Sequence, residues 1–158
     1  MVTQKAGTIL INIETKQIGL VYREKQKDIT FPKGHLEKGE TLLECALRET
    51  EEETGRKCHS YSEEEIESIS YTTKKGEKCL TSMFIAIDDG KSNRIFQDEV
   101  LIWVDLDNIT QALTHKNLKE FWKKNREKVE RIIEKKITIL HFYTLNLFNI
   151  EKKNKKLL

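Results

Sequence analysis

The sequence has little of what marks membrane or secreted proteins. None of its apolar runs approaches the roughly 20 residues that a membrane-spanning helix needs, so we expect no membrane partner. The N-terminus lacks a charged region followed by an apolar core, which argues against a signal peptide and for a cytoplasmic location. The three cysteines, Cys45, Cys58 and Cys79, are odd in number and lack the paired spacing of a zinc site. We therefore expect reduced, buried thiols.

The chain also has little net charge and a modest length. The formal charge of +2 is too small to indicate nucleic acid as a partner, so a polyanionic ligand would have to be met by local charge. The length of 158 residues predicts one domain. A stretch of residues 31–56 stands out against this ordinary background, because it contains seven glutamates. Since hard divalent cations need several oxygen ligands in one place, this segment is a candidate magnesium or manganese site.

The acidic segment has the signals of a short helix. Thr41 and Glu44 have the spacing of a capping box, and Gly55 is a typical left-handed C-terminal cap. Between them, four positions at helical spacing form a mostly apolar stripe for burial against a sheet: Leu43, Ala46, Leu47 and Thr50.

Three glutamates share the helix face next to this stripe, namely Glu49, Glu52 and Glu53, whereas Glu44 and Glu51 point to the other flank. Acidic faces of this kind are commonly just solvated. Like charges at this spacing repel, however, so a compensating cation is expected. Arg48, four residues from both Glu44 and Glu52, is a candidate partner that can orient a carboxylate by a forked contact.

The charged and glycine positions follow a fixed spacing. From Gly34 it reads glycine, five residues, Glu40, seven residues, Arg48-Glu49, two residues, Glu52-Glu53, one residue, Gly55. This pattern resembles the Nudix box, the loop-helix-loop signature of hydrolases that cleave nucleoside diphosphates linked to another group. Two aliphatic positions of the usual pattern differ, since Thr50 and Arg56 occupy them.

The flanking residues narrow the resemblance. The turn Phe31-Pro-Lys-Gly-His and the run Cys45-Ala-Leu-Arg-Glu-Thr are similar to the asymmetrical diadenosine tetraphosphate hydrolases of the superfamily, whereas many MutT-like relatives have glycine at the position of Lys33. This implies cleavage of a dinucleoside tetraphosphate to ATP and AMP. The alternatives are another Nudix pyrophosphohydrolase, acting on a nucleoside triphosphate, a sugar nucleotide or 5′-triphosphorylated RNA, and a non-catalytic sensor that binds a nucleotide.

The resemblance also implies roles for individual residues. One to three Mg²⁺ or Mn²⁺ ions would be held by Glu49, Glu52, Glu53 and the carbonyl oxygen of Gly34, with Glu40 acting through water. The general base would be Glu52, Glu53 or a downstream acid, Glu99 or Asp98, and Arg48 would orient Glu49 or Glu52. Three further residues would contact substrate: Lys33 and His35 at phosphate, and Tyr71 by stacking on adenine. Phe84, the other aromatic candidate, is more simply explained by the core, and the loop cations Arg23, Lys25 and Lys27 are either solvated or line a phosphate path.

The remaining segments predict an α+β fold. Strands are expected at residues 5–13, 18–23, 29–31, 66–73, 79–88 and 100–104, with a hairpin turn at 74–77 and a further turn at 88–90. Helices are expected at residues 109–113 and 117–136. This order suits a mixed sheet with helices on both sides, and the Nudix fold is such an α/β/α sandwich.

The C-terminal end departs from the family. Residues 137–150 are conspicuously apolar, and a basic tail follows them. We therefore expect a hydrolase domain at residues 1–136 and an extension at 137–158. Its apolar stretch is too short to span a membrane, so it should pack on its own domain or on a second subunit. We favour a continued helix that contacts a second copy of the chain in a homodimer.

Overall fold

The computed structural model describes residues 1–94 and 99–158, and it describes Glu99 by its backbone alone. Within these residues eight strands are formed, in chain order: β1 Thr3–Asn12, β2 Gln17–Arg23, β3 Asp28–Thr30, β4 Lys33–His35, β5 Arg56–Ser60, β6 Glu67–Thr72, β7 Lys78–Lys91 and β8 Glu99–Asp105. The same residues contain three α-helices: α1 Leu42–Thr54, α2 Ile109–Ala112 and α3 Lys116–Lys156. A short 3₁₀ turn, Leu106–Asn108, leads into α2.

The eight strands form one mixed sheet built around β1. Strand β1 runs parallel to β7, from Thr3 opposite Cys79 to Ile11 opposite Ile87, and antiparallel to β2 and β4. Strands β3 and β8 extend the sheet from β2, and β5 and β6 pair with β7. The predicted α+β class with a mixed sheet and helices is therefore confirmed.

Helix α1 is held on the sheet by a small buried cluster. Ala6 of β1 and Phe84 of β7 pack with Cys45 and Ala46 of α1, which confirms that Phe84 is a core residue. Thr50 is fully buried in the same helix, and its hydroxyl lies 2.7 Å from that of Thr8. The unusual threonine of the box motif thus serves the contact between helix and sheet.

The sequence analysis missed two strands, β4 and β5, and one of its predicted turns is wrong. Strand β4 has the sequence Lys-Gly-His and forms only because it pairs with residues 5–7 of β1. The turn expected at residues 88–90 does not form, because β7 continues to Lys91 where β5 pairs with it. Gly90 accommodates this with φ of 110°. Neither β4 nor β5 has the alternation of apolar and polar residues by which a strand is detected in a sequence.

The chain divides into two compact units, Met1–Lys124 and Asn125–Leu158, and α3 supplies the whole helical part of the second. The long helix predicted from residue 117 is confirmed, and it continues through the apolar stretch as expected. In the second unit Val129, Ile132 and Ile133 are buried, whereas the large apolar side chains of residues 139–150 are exposed.

No helix in the described ranges is long and apolar enough to cross a membrane. The three cysteines are free, and Cys45 and Cys79 are buried.

Candidate active site

Helix α1 begins and ends where its capping residues predict. The Thr41 hydroxyl accepts a hydrogen bond from Glu44 N–H (3.1 Å), and the Glu44 carboxylate accepts one from Thr41 N–H (2.8 Å). Gly55 is left-handed, with φ of 68°, and its N–H donates to the Glu51 carbonyl. Because Glu44 is used for capping, it is unavailable to Arg48.

Arg48 lies at the centre of an acidic cluster formed by Glu40, Glu49 and Glu52. Its Nε donates to Glu40 (2.5 Å), and its Nη1 donates to Glu49 (2.9 Å) and Glu52 (3.1 Å). Its Nη2 donates to the carbonyl of His35 in β4 (3.0 Å). The predicted contact with Glu52 is thus present, and one guanidinium joins the helix to the loop and strand before it.

Strand β4 contacts Glu49 and also Glu53, which together with Glu40 and Glu52 make up the acidic cluster. Glu53 accepts a hydrogen bond from Lys33 N–H (3.0 Å). The carboxylate of Glu49 lies directly against Gly34, in the space that a Cβ atom would fill. Gly34 is therefore needed for the close approach of this carboxylate to the strand.

The carboxylates of the cluster differ in their electrostatics. Hydrogen bonds from Arg48 lower the pKa of Glu40 to about 2. Burial raises the pKa of Glu49 above its usual value, against the opposing effect of Arg48. Glu49 thus bears a desolvation cost that a nearby cation would relieve.

The donor set of this cluster suits a hard divalent cation. Carboxylates and a backbone carbonyl are the ligands that Mg²⁺ takes in proteins, usually with water and phosphate completing the shell. Within the described part of the chain, no three His, Cys, Asp or Glu side chains converge closely enough to hold an ion as they stand. Arg48 and the strand backbone hold the carboxylates instead, and Gly34 leaves room for Glu49. The residues therefore fit a divalent ion, both because their oxygen atoms are suitable ligands and because Gly34 leaves room for the Glu49 carboxylate.

A cavity of about 670 Å³ is lined by Lys33, whose backbone N–H binds Glu53. Its charged lining is mostly cationic: Arg23, Lys25, Lys33 and Lys74, together with Asp28 and His115. Tyr71 of β6 is its one aromatic lining residue within the described chain. The Tyr71 hydroxyl accepts a hydrogen bond from Lys5 Nζ (3.0 Å), which adds a further cation close to the cavity.

Lys33 connects the cavity to the acidic cluster. Its backbone N–H binds Glu53, while its half-buried side chain lines the cavity. Burial, together with the charge of nearby Arg23, lowers the pKa of Lys33 to about 8. An anion in the cavity would stabilise the charged form of this side chain.

Asp28 and His115 were not identified from the sequence. Asp28 begins β3 and is buried, and its two oxygens accept hydrogen bonds from Arg23 Nε (2.8 Å) and Nη2 (2.6 Å). His115 Nε2 lies 2.6 Å from Asp28 Oδ2. These two residues are 87 positions apart, so no local motif could have paired them.

The other predicted site residues differ in how they relate to the acidic cluster. The side chain of His35 is exposed on β4, and its carbonyl accepts a hydrogen bond from Arg48. Glu99 begins β8 opposite Arg23, but its side chain and the whole of Asp98 lie outside the described residues. Arg56, the unusual residue after Gly55, donates two hydrogen bonds to Asp88 of β7 (2.8 and 2.6 Å), which explains how the position is packed without an aliphatic side chain.

Acid should weaken the fold through Asp28. Burial pushes its pKa up, but hydrogen bonds from Arg23 and His115 outweigh this and lower the pKa from 3.8 to about 2. Because the folded-state pKa is depressed, the stabilisation is present above pH 3.8 and is lost as the pH falls towards 2. We expect Asp28→Asn to lower the free energy of unfolding by about 2 kcal/mol at pH 7. In urea titrations the difference from wild type should shrink between pH 4 and 2, and Asp89→Asn, at an exposed His–Asp pair, is the control. A difference that does not change over this range would contradict the assignment.

The family is shown by direct comparison. A family model described as the NUDIX domain matches residues 2–129. The chain belongs to this family. Nudix hydrolases act on nucleoside polyphosphate substrates and generally use divalent metals, and membership supports a pyrophosphohydrolase activity for this chain. A search of curated proteins found no match.

Solved structures confirm the Nudix fold. A NUDIX hydrolase from Nitrosomonas europaea has a TM-score of 0.68 at 20% identity, with 81% of this chain and 90% of that chain covered. The C. elegans Ap4A hydrolase has a TM-score of 0.66 at 21% identity, covering 82% and 98%. The E. coli dihydroneopterin triphosphate pyrophosphohydrolase has a TM-score of 0.59 at 14% identity, covering 78% and 97%. At these identities the likeness establishes the fold and leaves the substrate open.

Proposed function

We propose that this Nudix protein hydrolyses a phosphoanhydride bond of a dinucleoside tetraphosphate, yielding ATP and AMP, with Mg²⁺ or Mn²⁺ as cofactor. One observation carries the proposal: an acidic cluster suited to cations and a cationic cavity suited to phosphates meet at Lys33. A polyphosphate can thus be held by bound cations at one end and by protein cations at the other. The cytoplasmic location expected from the sequence stays a prediction.

Glu49, Glu52, Glu53 and the Gly34 carbonyl would hold the divalent ion. Bound there, it would neutralise phosphate oxygens and lower the pKa of a water molecule. Arg48 keeps the carboxylates oriented through its hydrogen bonds to Glu49 and Glu52 and fixes Glu40 near the same face. The proton of the attacking water would pass to Glu52 or Glu53 of the box motif or to the downstream Glu99, since a carboxylate can serve as a general base.

The cavity would take a nucleotide portion of the substrate. Its volume lies within the range of about 300–1,000 Å³ that is usual for small-molecule sites. Lys33 would bind a phosphate next to the cleaved bond, His35 would contact phosphate from β4, and Tyr71 would stack on a base. The mostly cationic lining would compensate the charge of the phosphates that remain after cleavage.

The dinucleoside substrate is favoured over other polyphosphates by two lines of support. The sequences Lys33-Gly34-His35 and Arg48-Glu49-Thr50 resemble those of the asymmetrical hydrolases, and the C. elegans neighbour is described as an Ap4A hydrolase. The alternative is a nucleoside triphosphate, a sugar nucleotide or 5′-triphosphorylated RNA, and the E. coli neighbour is described as acting on a triphosphate. The retention of every box carboxylate argues against a non-catalytic sensor.

Product analysis tests the proposal directly. Diadenosine tetraphosphate is incubated with the protein and Mg²⁺, and the products are separated by anion-exchange chromatography. Equimolar ATP and AMP is the expected result. If this compound is left intact while nucleoside triphosphates, sugar nucleotides or triphosphorylated RNA are cleaved, the alternative substrates are correct. Absence of cleavage with every substrate, together with nucleotide binding, would replace the hydrolase by a sensor.

We further propose that the C-terminal part of α3 contacts a second copy of the chain, and that residues 1–136 suffice for the hydrolase. Four exposed apolar residues, Leu140, Tyr143, Leu147 and Ile150, follow one another at spacings of three, four and three. This is the spacing of a coiled-coil seam. We expect truncation after Lys136 to convert a dimer into a monomer in light scattering, with activity retained. A monomeric full-length protein would rule out this dimer.

A further inference from the structure

His115 is fixed in one orientation by groups that face the cavity. Its Nε2 lies 2.6 Å from Asp28 Oδ2, and both Asp28 oxygens are also bound by Arg23. An ionised carboxylate can only accept hydrogen bonds, so Nε2 must carry the hydrogen that it donates to Asp28. The second ring nitrogen, Nδ1, is therefore the atom left for a ligand.

The backbone around His115 is held equally firmly. Thr114 precedes it, and the Thr114 hydroxyl accepts a hydrogen bond from Ile29 N–H (2.8 Å), while Thr114 N–H donates to the Ile29 carbonyl (3.1 Å). The His115 carbonyl in turn accepts from Leu118 and Lys119 at the start of α3. The ring thus belongs to a loop that is tied to β3 beside Asp28. Binding a ligand would require little further ordering, which favours affinity.

The ring is also accessible and lies in a cationic setting. Its side chain is 49% exposed, whereas Asp28 is 5% exposed, and both line the cavity. The charge of Asp28 is already balanced by Arg23, and the lining also contains Lys25, Lys33 and Lys74. A phosphate bound at Nδ1 would favour a proton on this nitrogen, which then donates to it. This charge pattern fits a phosphate better than an uncharged ring of a base.

We propose that His115 is a specificity-determining residue, which donates from Nδ1 to a phosphate of the nucleotide portion in the cavity and is positioned for this by Asp28. The inference rests on the proposed function, because it assumes that the cavity holds part of the substrate. It adds a phosphate contact on the side of the cavity formed by β3 and the start of α3. Substrates with a phosphate next to His115, in the part that is bound in the cavity, are preferred over those that lack one.

Ligand binding separates a phosphate contact from a contact with the base. Affinities for AMP and for adenosine are measured by calorimetry on the full chain without divalent ions, for wild type and His115→Gln. Glutamine can still donate to Asp28 but cannot supply a positive charge. We expect AMP to bind about tenfold more weakly to the variant, which is the scale of a hydrogen bond to a charged group, while adenosine binding is unchanged. An equal loss for both ligands, or no loss for AMP, overturns the proposal.

His59→Gln is the matched control, because His59 also pairs with an aspartate, Asp89 (2.8 Å), but does not line the cavity. It should leave AMP affinity unchanged. Steady-state kinetics give a second readout, in which His115→Gln raises KM about tenfold and leaves kcat within about twofold. A fall in kcat at unchanged KM would instead contradict a binding role.

A double-mutant cycle tests the part assigned to Asp28. If Asp28 acts by positioning His115, the AMP losses of Asp28→Asn and His115→Gln are not additive in the double variant. Additive losses would show that Asp28 does not act through the histidine. Failure of the proposed function would look different: wild type would cleave no polyphosphate, while the discrimination between AMP and adenosine could still be lost on changing His115.

Discussion

Glu52→Gln and Glu53→Gln are each expected to reduce kcat by about 10²–10⁴-fold. The two carboxylates belong to the face of α1 that is organised by Arg48 and by the backbone of β4, with Arg48 donating to Glu52 (3.1 Å) and Lys33 N–H donating to Glu53 (3.0 Å). Replacement by glutamine preserves the size of each side chain and removes its charge. It therefore removes a ligand for the cation and a candidate proton acceptor at once, and loss of a general base alone is worth this range. Initial rates with diadenosine tetraphosphate at saturating Mg²⁺ give the measurement.

Glu44→Gln is the matched control for these two variants. Glu44 is on the same helix, but its carboxylate accepts from Thr41 N–H in the capping box, and glutamine can replace glutamate in that role. Its activity and thermal stability should both remain close to wild type. A calorimetric titration with Mn²⁺ adds a readout independent of turnover, since binding should weaken in the two site variants only. Retention of at least a tenth of wild-type kcat by both site variants would show that this face is not the catalytic one.

Helix α1 was predictable because its signals are local. The capping box at Thr41 and Glu44, the left-handed Gly55 and the apolar stripe all act within a few turns, so sequence spacing translates directly into geometry. The same holds for the contact between Arg48 and Glu52, which are one helical turn apart. Glu44 was the other partner expected for Arg48. In the structure Arg48 pairs with Glu40 and Glu49 instead, because the Glu44 carboxylate accepts a hydrogen bond from Thr41 N–H in the capping box.

The cavity could not be predicted, because its walls come from separate parts of the chain. Tyr71 meets Lys5 across 66 positions and His115 meets Asp28 across 87. Strand β4 likewise forms through pairing with β1, although Lys-Gly-His has no strand pattern of its own. Such contacts depend on the fold of the whole sheet, and a single sequence contains no periodic signal for them. The sequence therefore indicated the glutamates of the box motif, together with Lys33 and Tyr71 of the cavity lining. For Arg23 and Lys25, which also line the cavity, it left open whether they are solvated or line a phosphate path.

The two halves have opposite charges for a physical reason. Cations bound at the carboxylates would attract the phosphates but would also leave the carboxylates close to a polyanion, which repels them. In the function that we propose, the cationic side chains of the cavity would counteract this repulsion at the other end of the ligand. Lys33 lies where the two meet, and burial, together with the charge of Arg23, lowers the pKa of its side chain. The arrangement is consistent with the polyphosphate substrate that we propose.

Gly34→Ala should abolish most activity and leave the fold almost intact. A Cβ atom at residue 34 would occupy the space of the Glu49 carboxylate, so that side chain must turn away. The obstacle is the far end of a flexible side chain and Gly34 lies outside the left-handed region, so the free energy of unfolding should change by less than about 1 kcal/mol. Since we propose Glu49 as a metal ligand, displacing its carboxylate by an ångström or more should lower kcat/KM by about 100-fold. Steady-state kinetics and urea unfolding on the same preparation provide both numbers.

Gly7→Ala is the informative contrast, because it is the other glycine in the pairing of β1 with β4. There a Cβ atom would lie 2.6 Å from Lys33 Cβ and 3.0 Å from Lys33 Cα, and it would also collide with the Pro32 carbonyl. Backbone in a paired strand cannot turn aside as a glutamate can, so this variant should lose about 1–3 kcal/mol of stability. Inactivity of Gly34→Ala accompanied by an equal loss of stability would mean that Gly34 serves the sheet. Inactivity with a stable fold would instead locate the effect in Glu49, because the two substitutions add the same methyl group to adjoining strands and differ in what that group meets.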